Sequence, residues 1–336
     1  MKYGCHRVIE PKGVFPQAAY KLDNTPKAYD DEILIQVETL NIDSASFKQI
    51  KDEVGEKGIA KRIMEIVEER GKMHNPVTNS GGMLIGKIKE IGKSLEGKID
   101  AKVGDRIATL VSLTLTPLKL YRIKKIKGEQ IDVDAYAILF ESSIFAKLPE
   151  DIDAKVALAA LDVAGAAPLV GKLVKEGDTV LILGAGKSGM LCTYEARKRT
   201  KNGKVIVMTR SKKSAGRIKS LGYADYVFRA DATNPLEVLD KIEKVTKGEL
   251  CDVVINAVNA SNTEMASIVS AKDGGKICFF SMATSFQKAA LGAEGIGKDV
   301  YMLIGNGYSK GHAEYTLNIL RESKPLMKVF KKLYGN

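Results

Sequence analysis

The run Thr179–Val180–Leu181–Ile182–Leu183–Gly184–Ala185–Gly186–Lys187–Ser188–Gly189 constrains this chain more than any other. Residues 179–183 read as a parallel strand buried on both faces, and G-x-G-x-x-G follows at once. Gly184 allows a tight turn, Gly186 lets backbone approach a pyrophosphate closely, and Gly189 lets the next helix pack on the strand it has just left. Lys187 and Ser188 open that helix, where unpaired N–H groups receive a diphosphate. Strand, glycine turn and helix together predict a dinucleotide site.

A second strand-like run, residues 204–209 (KVIVMT), follows after a helix of about a dozen residues and completes one βαβ unit. The tip of this strand normally selects the cofactor, because a site for NAD places Asp or Glu there for the ribose 2′-hydroxyl. Here the tip reads Thr209–Arg210–Ser211–Lys212–Lys213, with no carboxylate. A guanidinium flanked by hydroxyls and ammonium groups suits a 2′-phosphate through charge-assisted bonds. NADP is the expected cofactor and NAD the alternative. A solvated basic turn that touches nothing would also account for these charges.

Beyond this unit, helix and strand alternate through residues 252–255, 276–280 and 300–304, which is the rhythm of a doubly wound Rossmann sheet. The first half differs. Short alternating runs at 32–38 and 83–88 look like strands of a small barrel, and residues 58–70 carry Ile59, Ile63, Ile66 and Val67 at helical spacing. Turn chemistry at 148–153 closes this half, and an Ala-rich helical stretch, 154–174, leads to the cofactor strand. The fold class is thus α/β, with residues 1–150 as one domain and 151–336 as the dinucleotide-binding domain.

Composition narrows the functional classes. The 336 residues are 45% hydrophobic, enough for two buried cores, and no run approaches the roughly 18 apolar residues of a membrane span. The N-terminal MKYGCHRVIEPKG lacks a signal-like apolar core, so a cytoplasmic location away from membranes is expected. The formal charge of +11 raises nucleic-acid binding, but the 52 Lys and Arg are spread along the chain among 41 Asp and Glu, without an aromatic-interleaved strip. Nucleic acid is not an expected partner, and the excess charge suits anionic ligands. Four scattered cysteines and three separated histidines, His6, His74 and His312, give no zinc-site spacing.

A barrel-like half followed by a dinucleotide domain resembles the medium-chain dehydrogenase/reductase superfamily, which implies a GroES-like first domain. Residues 103–107 (VGDRI) resemble its V-G-D-x-V turn, 81–92 (GGMLIGKIKEIG) its G-H-E-x-x-G-x-V-x-x-x-G segment, and 175–180 (KEGDTV) its entry to the cofactor strand. The departures matter equally. Gly82 and Met83 stand where zinc-dependent members place His and Glu; Asp43 stands at the first Cys ligand, and Asp162 near the last. The four-Cys lobe is absent, so no zinc is expected. The final 30 or so residues lack the usual return to the first domain, which leaves packing on that domain open.

Residues 6–11 (HRVIEP), 40–47 (LNIDSASF), 75–78 (NPVT) and 279–295 (FFSMATSFQKAALGAEG), together with 305–308 (GNGY), resemble more closely the L-erythro-3,5-diaminohexanoate dehydrogenase family. The resemblance implies oxidation of the 3-amino group of a small diamino acid, giving 5-amino-3-oxohexanoate and ammonia in anaerobic lysine fermentation. Hydride can leave C3 only from the neutral amine, so a base must take the ammonium proton. Asp43 and Asp162 are the candidate catalytic carboxylates, one as proton acceptor and one as ammonium anchor, with Ser44 and Ser46 beside the first. Either could instead be structural: Asp43 as a helix cap, Asp162 as an N-cap or a partner of Arg7. Arg7 is the candidate for the substrate carboxylate, and His6, Glu141 and Ser281 are assigned to the pocket. Ser281 follows a strand at the end where ligands collect, so it is also assigned to the cofactor. A zinc-independent NADPH quinone or enone reductase, and a non-catalytic NADP- or RNA-binding protein, are the competing functions. A homodimer is expected from the superfamily.

Overall fold

The structure, a computed structural model, describes residues 2–305 and 307–335. It divides into two compact units, residues 1–162 and 163–336.

In the first unit, β1 (Val8–Glu10) and β2 (Lys21–Leu22) make a short ladder. Then come β3 (Glu32–Ile42), α1 (Ser44–Arg70), β4 (Gly82–Ile91), β5 (Arg106–Thr109), β6 (Leu118–Lys127), β7 (Gln130–Phe140) and β8 (Phe145–Lys147). The last six strands form one antiparallel sheet in the order β6-β7-β3-β4-β5-β8. Its core gathers Ile35, Leu40, Ile42, Leu84, Ile107 and Ile131 with Ile50, Ile59 and Ile63 of the helix. The periodicity of residues 58–70 therefore marks only the second half of α1. The helix bends at Gly55, whose φ of 68° and ψ of 172° are non-helical, and its first half starts at the Asp43 cap.

Past the turn at 148–153 lies α2 (Ala154–Leu161), which packs with this first unit. Lys155 pairs with Asp132 of β7 at 3.4 Å, and its carbonyl accepts from Gln130 Nε2 at 3.2 Å. The expected single helix over 154–174 is two, because residues 162–165 form turns before α3 (Ala166–Leu173).

The second unit continues with β9 (Val180–Leu183), α4 (Lys187–Thr200), β10 (Val205–Thr209), α5 (Lys212–Leu221), β11 (Tyr226–Arg229), α6 (Pro235–Thr246), β12 (Cys251–Asn256), α7 (Glu264–Ser270), β13 (Ala271–Phe279), α8 (Phe286–Gly295) and β14 (Val300–Ile304). All six strands are parallel, in the order β11-β10-β9-β12-β13-β14, the doubly wound arrangement whose sense reverses beside β9. Residues of β9 are fully buried, as a strand covered on both faces requires. The chain ends in α9 (His312–Glu322) and α10 (Lys324–Tyr334), which pack on this same unit. Thr316 donates to the Ala164 carbonyl, Tyr194 and Lys198 meet Glu322, and Tyr223 meets Ser323.

Candidate active site

Asp43 follows β3 and caps α1. Its Oδ1 accepts from Ala45 N at 2.9 Å, Ser46 N at 3.4 Å and the Ser80 hydroxyl at 3.2 Å. A carboxylate suits this place, because the first helical N–H groups have no other partner. Among the described residues none of these bonds uses Oδ2. Ser46 is fully buried and sits in a triangle of hydroxyls, 2.5 Å from Thr78 and 2.7 Å from Ser80. Ser44 is half-buried in the first turn of α1. Thr78 and Ser80 were not legible as site residues. They arrive on an irregular loop with no periodic signal, shaped by Asn75, whose Oδ1 accepts from Val77 N and whose Nδ2 donates to Gln49 of α1.

Gly82 closes this corner. Its φ is +113°, and a Cβ there would stand 1.9 Å from the Asn41 carbonyl oxygen. The backbone leaves no room for a side chain at this position. Among the described residues, no three His, Cys, Asp or Glu side chains come together as a metal site.

The structure does not bring His6, Arg7 and Glu141 to Asp43. Arg7 is 1% exposed and commits all five N–H donors: two to Glu32, one to Asp23 and two to the carbonyls of Thr25 and Lys27. Burial works against its charge, but Glu32, Asp23 and Tyr29 overcome this and raise its pKa. No donor remains for a substrate carboxylate. His6 bonds the same Glu32 at 2.6 Å. Glu32 opens β3 and pairs in register with Phe140, after which Glu141 stands exposed in a turn; Asn41, at the other end, pairs with Gln130. The eleven-residue strand puts these groups roughly 30 Å along the chain from Asp43.

Asp162 is the C-cap of α2 rather than an N-cap, and Arg7 spends its donors on Glu32, Asp23, Thr25 and Lys27 instead. A carboxylate gains nothing from the carbonyl end of a helix, where the dipole favours cations. Helix-end electrostatics thus account for Asp43 and not for Asp162. In the loop between α1 and β4, His74 is 9% exposed, and burial, then Lys72 and Arg70, push its pKa down to about 4, with Asn79 acting weakly against them. Its imidazole is therefore neutral at pH 7.

In the second unit the glycines fit a dinucleotide. Gly184 has φ of +101°, and a Cβ on Gly189 would meet the Gly184 carbonyl oxygen at 2.2 Å. A Cβ on Gly186 would meet nothing within 4 Å, so that backbone faces open space. Gly186 caps α4 without a side-chain bond, and Lys187 and Ser188 follow it with no acidic residue in the first turn. Thr209 is buried at the tip of β10, whereas Arg210 and Lys212 are exposed. Ser211 Oγ caps α5 through Ser214 N at 3.0 Å. Arg210 has one loose carboxylate neighbour, Asp231 at 3.7 Å. Ser281 follows β13 at the carboxyl end of the sheet, and its Oγ accepts from Ala283 N.

An antiparallel-sheet unit followed by a doubly wound parallel sheet with a glycine turn defines the fold class, and solved structures share that fold. A quinone oxidoreductase from Pseudomonas syringae matches with a TM-score of 0.57 at 19% identity, covering 94% of this chain and 85% of that one. A mycobacterial protein solved with NADPH matches at 0.56 and 19%, covering 95% and 85%. An alcohol dehydrogenase from Thermotoga maritima matches at 0.56 and 16%, covering 93% and 89%. At such identities they speak for the fold alone.

Sequence relatives are more specific. L-erythro-3,5-diaminohexanoate dehydrogenase from Acetoanaerobium sticklandii is 58% identical over 99% of this chain and 98% of its own length. The enzyme of that name from Fusobacterium nucleatum is 53% identical over the same shares. Residues 6–149 match the family model described as the L-erythro-3,5-diaminohexanoate dehydrogenase N-terminal domain. The chain belongs to the L-erythro-3,5-diaminohexanoate dehydrogenase family. It is an oxidoreductase.

Proposed function

We propose that the protein catalyses the NADP- or NAD-dependent oxidative deamination of L-erythro-3,5-diaminohexanoate to 5-amino-3-oxohexanoate and ammonia, without zinc, as a cytoplasmic step of lysine fermentation. The observation that carries the proposal is Asp43: a half-buried carboxylate whose bonds among the described residues all go to Oδ1, beside a glycine that leaves no room for a side chain.

When bound, the nicotinamide ring supplies the hydride acceptor. Gly184, Gly186 and Gly189 would hold its diphosphate, and Arg210, Ser211 and Lys212 a 2′-phosphate. The first unit supplies the proton chemistry. Asp43 takes a proton from the C3 ammonium, freeing the lone pair that lets hydride depart. Water then adds to the iminium carbon and gives up a proton, and ammonia leaves from the resulting aminoalcohol. Ser80 and the α1 N–H groups fix the carboxylate through Oδ1, so that Oδ2 meets the substrate. Asp162 holds an ammonium group. Two carboxylates favour a substrate with two ammonium groups and disfavour an anionic one.

A homodimer is proposed from β14. It is the edge of its sheet, and Tyr301 and Ile304 are 66% and 75% exposed, an apolar edge that a second copy would cover. Sedimentation of a monomer at micromolar concentration would contradict this.

The reaction is tested by mixing the enzyme with L-erythro-3,5-diaminohexanoate and either cofactor and following reduced nicotinamide and ammonia together. Equal yields of the two are expected. Reduced cofactor without ammonia, or no turnover alongside NADPH oxidation by a quinone, would overturn the proposal.

A further inference from the structure

Asn41 lies two residues before Asp43, is 1% exposed, and among the described residues has no hydrogen-bond partner for Nδ2. Its neighbours Leu40 and Ile42 belong to the core of the first unit, so strand alternation turns Asn41 to the opposite face, with Thr39. Its polar neighbours Thr39, Asp132 and Gln130 are paired. Thr39 donates to Asp132 at 2.8 Å, Asp132 pairs with Lys155 of α2, and Gln130, the register partner of Asn41, donates to the Lys155 carbonyl. The helix that reaches these groups ends at Asp162. Asn41 thus stands on the strand that delivers Asp43, facing the side that α2 reaches.

A buried amide donor left unpaired is destabilising, and such groups persist where a ligand completes them. We propose that Asn41 Nδ2 binds the carboxylate of the substrate, the role that Arg7 cannot fill. The inference rests on the reaction proposed above. A substrate with carboxylate at C1 and reacting amine at C3 needs a donor and an acceptor close together. Asn41 and Asp43 supply them about 7 Å apart along an extended chain. His6 Nδ1 is also buried and unpartnered, but His6 is held by Glu32 at the far end of β3.

The test compares Asn41→Leu and Asn41→Asp with the unaltered enzyme in steady-state kinetics and thermal denaturation. Asn41→Leu removes the unpaired donor, so it should melt no lower than the unaltered enzyme. Its KM for the diamino acid should rise roughly ten- to hundred-fold with kcat within a few-fold, the loss of one hydrogen bond to a charged group. Asn41→Asp should raise KM further by repelling the carboxylate. A lower melting temperature with unchanged KM would make Asn41 structural and overturn the proposal, as would equal KM increases in both variants. If Asn41→Leu fails to fold, an Asn41→Asp enzyme with unaltered KM overturns it as well. Absence of turnover in the unaltered enzyme would instead sink the reaction itself.

Discussion

At the scale of single residues, chemistry and position separate groups that look alike in sequence. Arg7 and Asp43 both present charge in polar surroundings, but Arg7 has every donor occupied, whereas the bonds of Asp43 among the described residues all go to one oxygen. Arg7→Met should leave Glu32, which is wholly buried, without its main partner and destabilise the protein by about 3–5 kcal/mol, measured as a lower urea midpoint. Unchanged stability with weakened substrate binding would return Arg7 to the site. His74 offers a pH test. Its folded pKa, near 4, lies below the ordinary 6.5, so between these values the unfolded chain binds a proton that the folded chain refuses. The stability this histidine allows at neutral pH is therefore lost as pH falls from 6.5 towards 4. His74→Gln should lose less stability than the unaltered protein between pH 7 and 5. Equal losses would show that another group titrates there.

At the scale of elements, periodic and local signals were legible and loop-borne ones were not. The strand and glycine turn at 179–189 are a local code, because each glycine answers a steric need within a few residues of itself. The 58–70 helix was legible from its apolar stripe, yet its extension back to Ser44 depends on an Asp cap and tolerance of a bend at Gly55. The break at 162–165 within an Ala-rich run left no periodic trace. The Ser80 hydroxyl reaches Asp43, and that of Thr78 reaches Ser46, only through the loop built on Asn75, a placement no spacing rule encodes. The tip of β10 and the start of α5 yield a specific test. Arg210→Ala should raise KM for NADP roughly ten- to hundred-fold, the loss of charge-assisted bonds, and change KM for NAD little. Equal effects on both cofactors would place Arg210 away from the 2′-phosphate.

At the scale of the whole molecule, the proposed reaction divides the chemistry between the two units, with carboxylates for a cation assigned to one and a glycine turn and basic tip for an anionic cofactor assigned to the other. This division was legible early, because a dinucleotide site halfway along a chain fixes what the second half must be. The content of the first half was less so: Asp43 is assigned from the ligand position it occupies in the resemblance, whereas His6, Arg7 and Glu141, assigned to the same pocket, are sent by antiparallel pairing to the other end of β3. In the proposed reaction a carboxylate, Asp43, does the proton work without a metal. It is tested by cofactor reduction with L-erythro-3,5-diaminohexanoate in a strong chelator, comparing the unaltered enzyme with Asp43→Asn. Full activity in chelator and a loss of at least 100-fold in kcat on substitution are expected, in the range of general-base catalysis. Activity abolished by chelator and restored by zinc, or an Asp43→Asn enzyme with unaltered kcat, would contradict it.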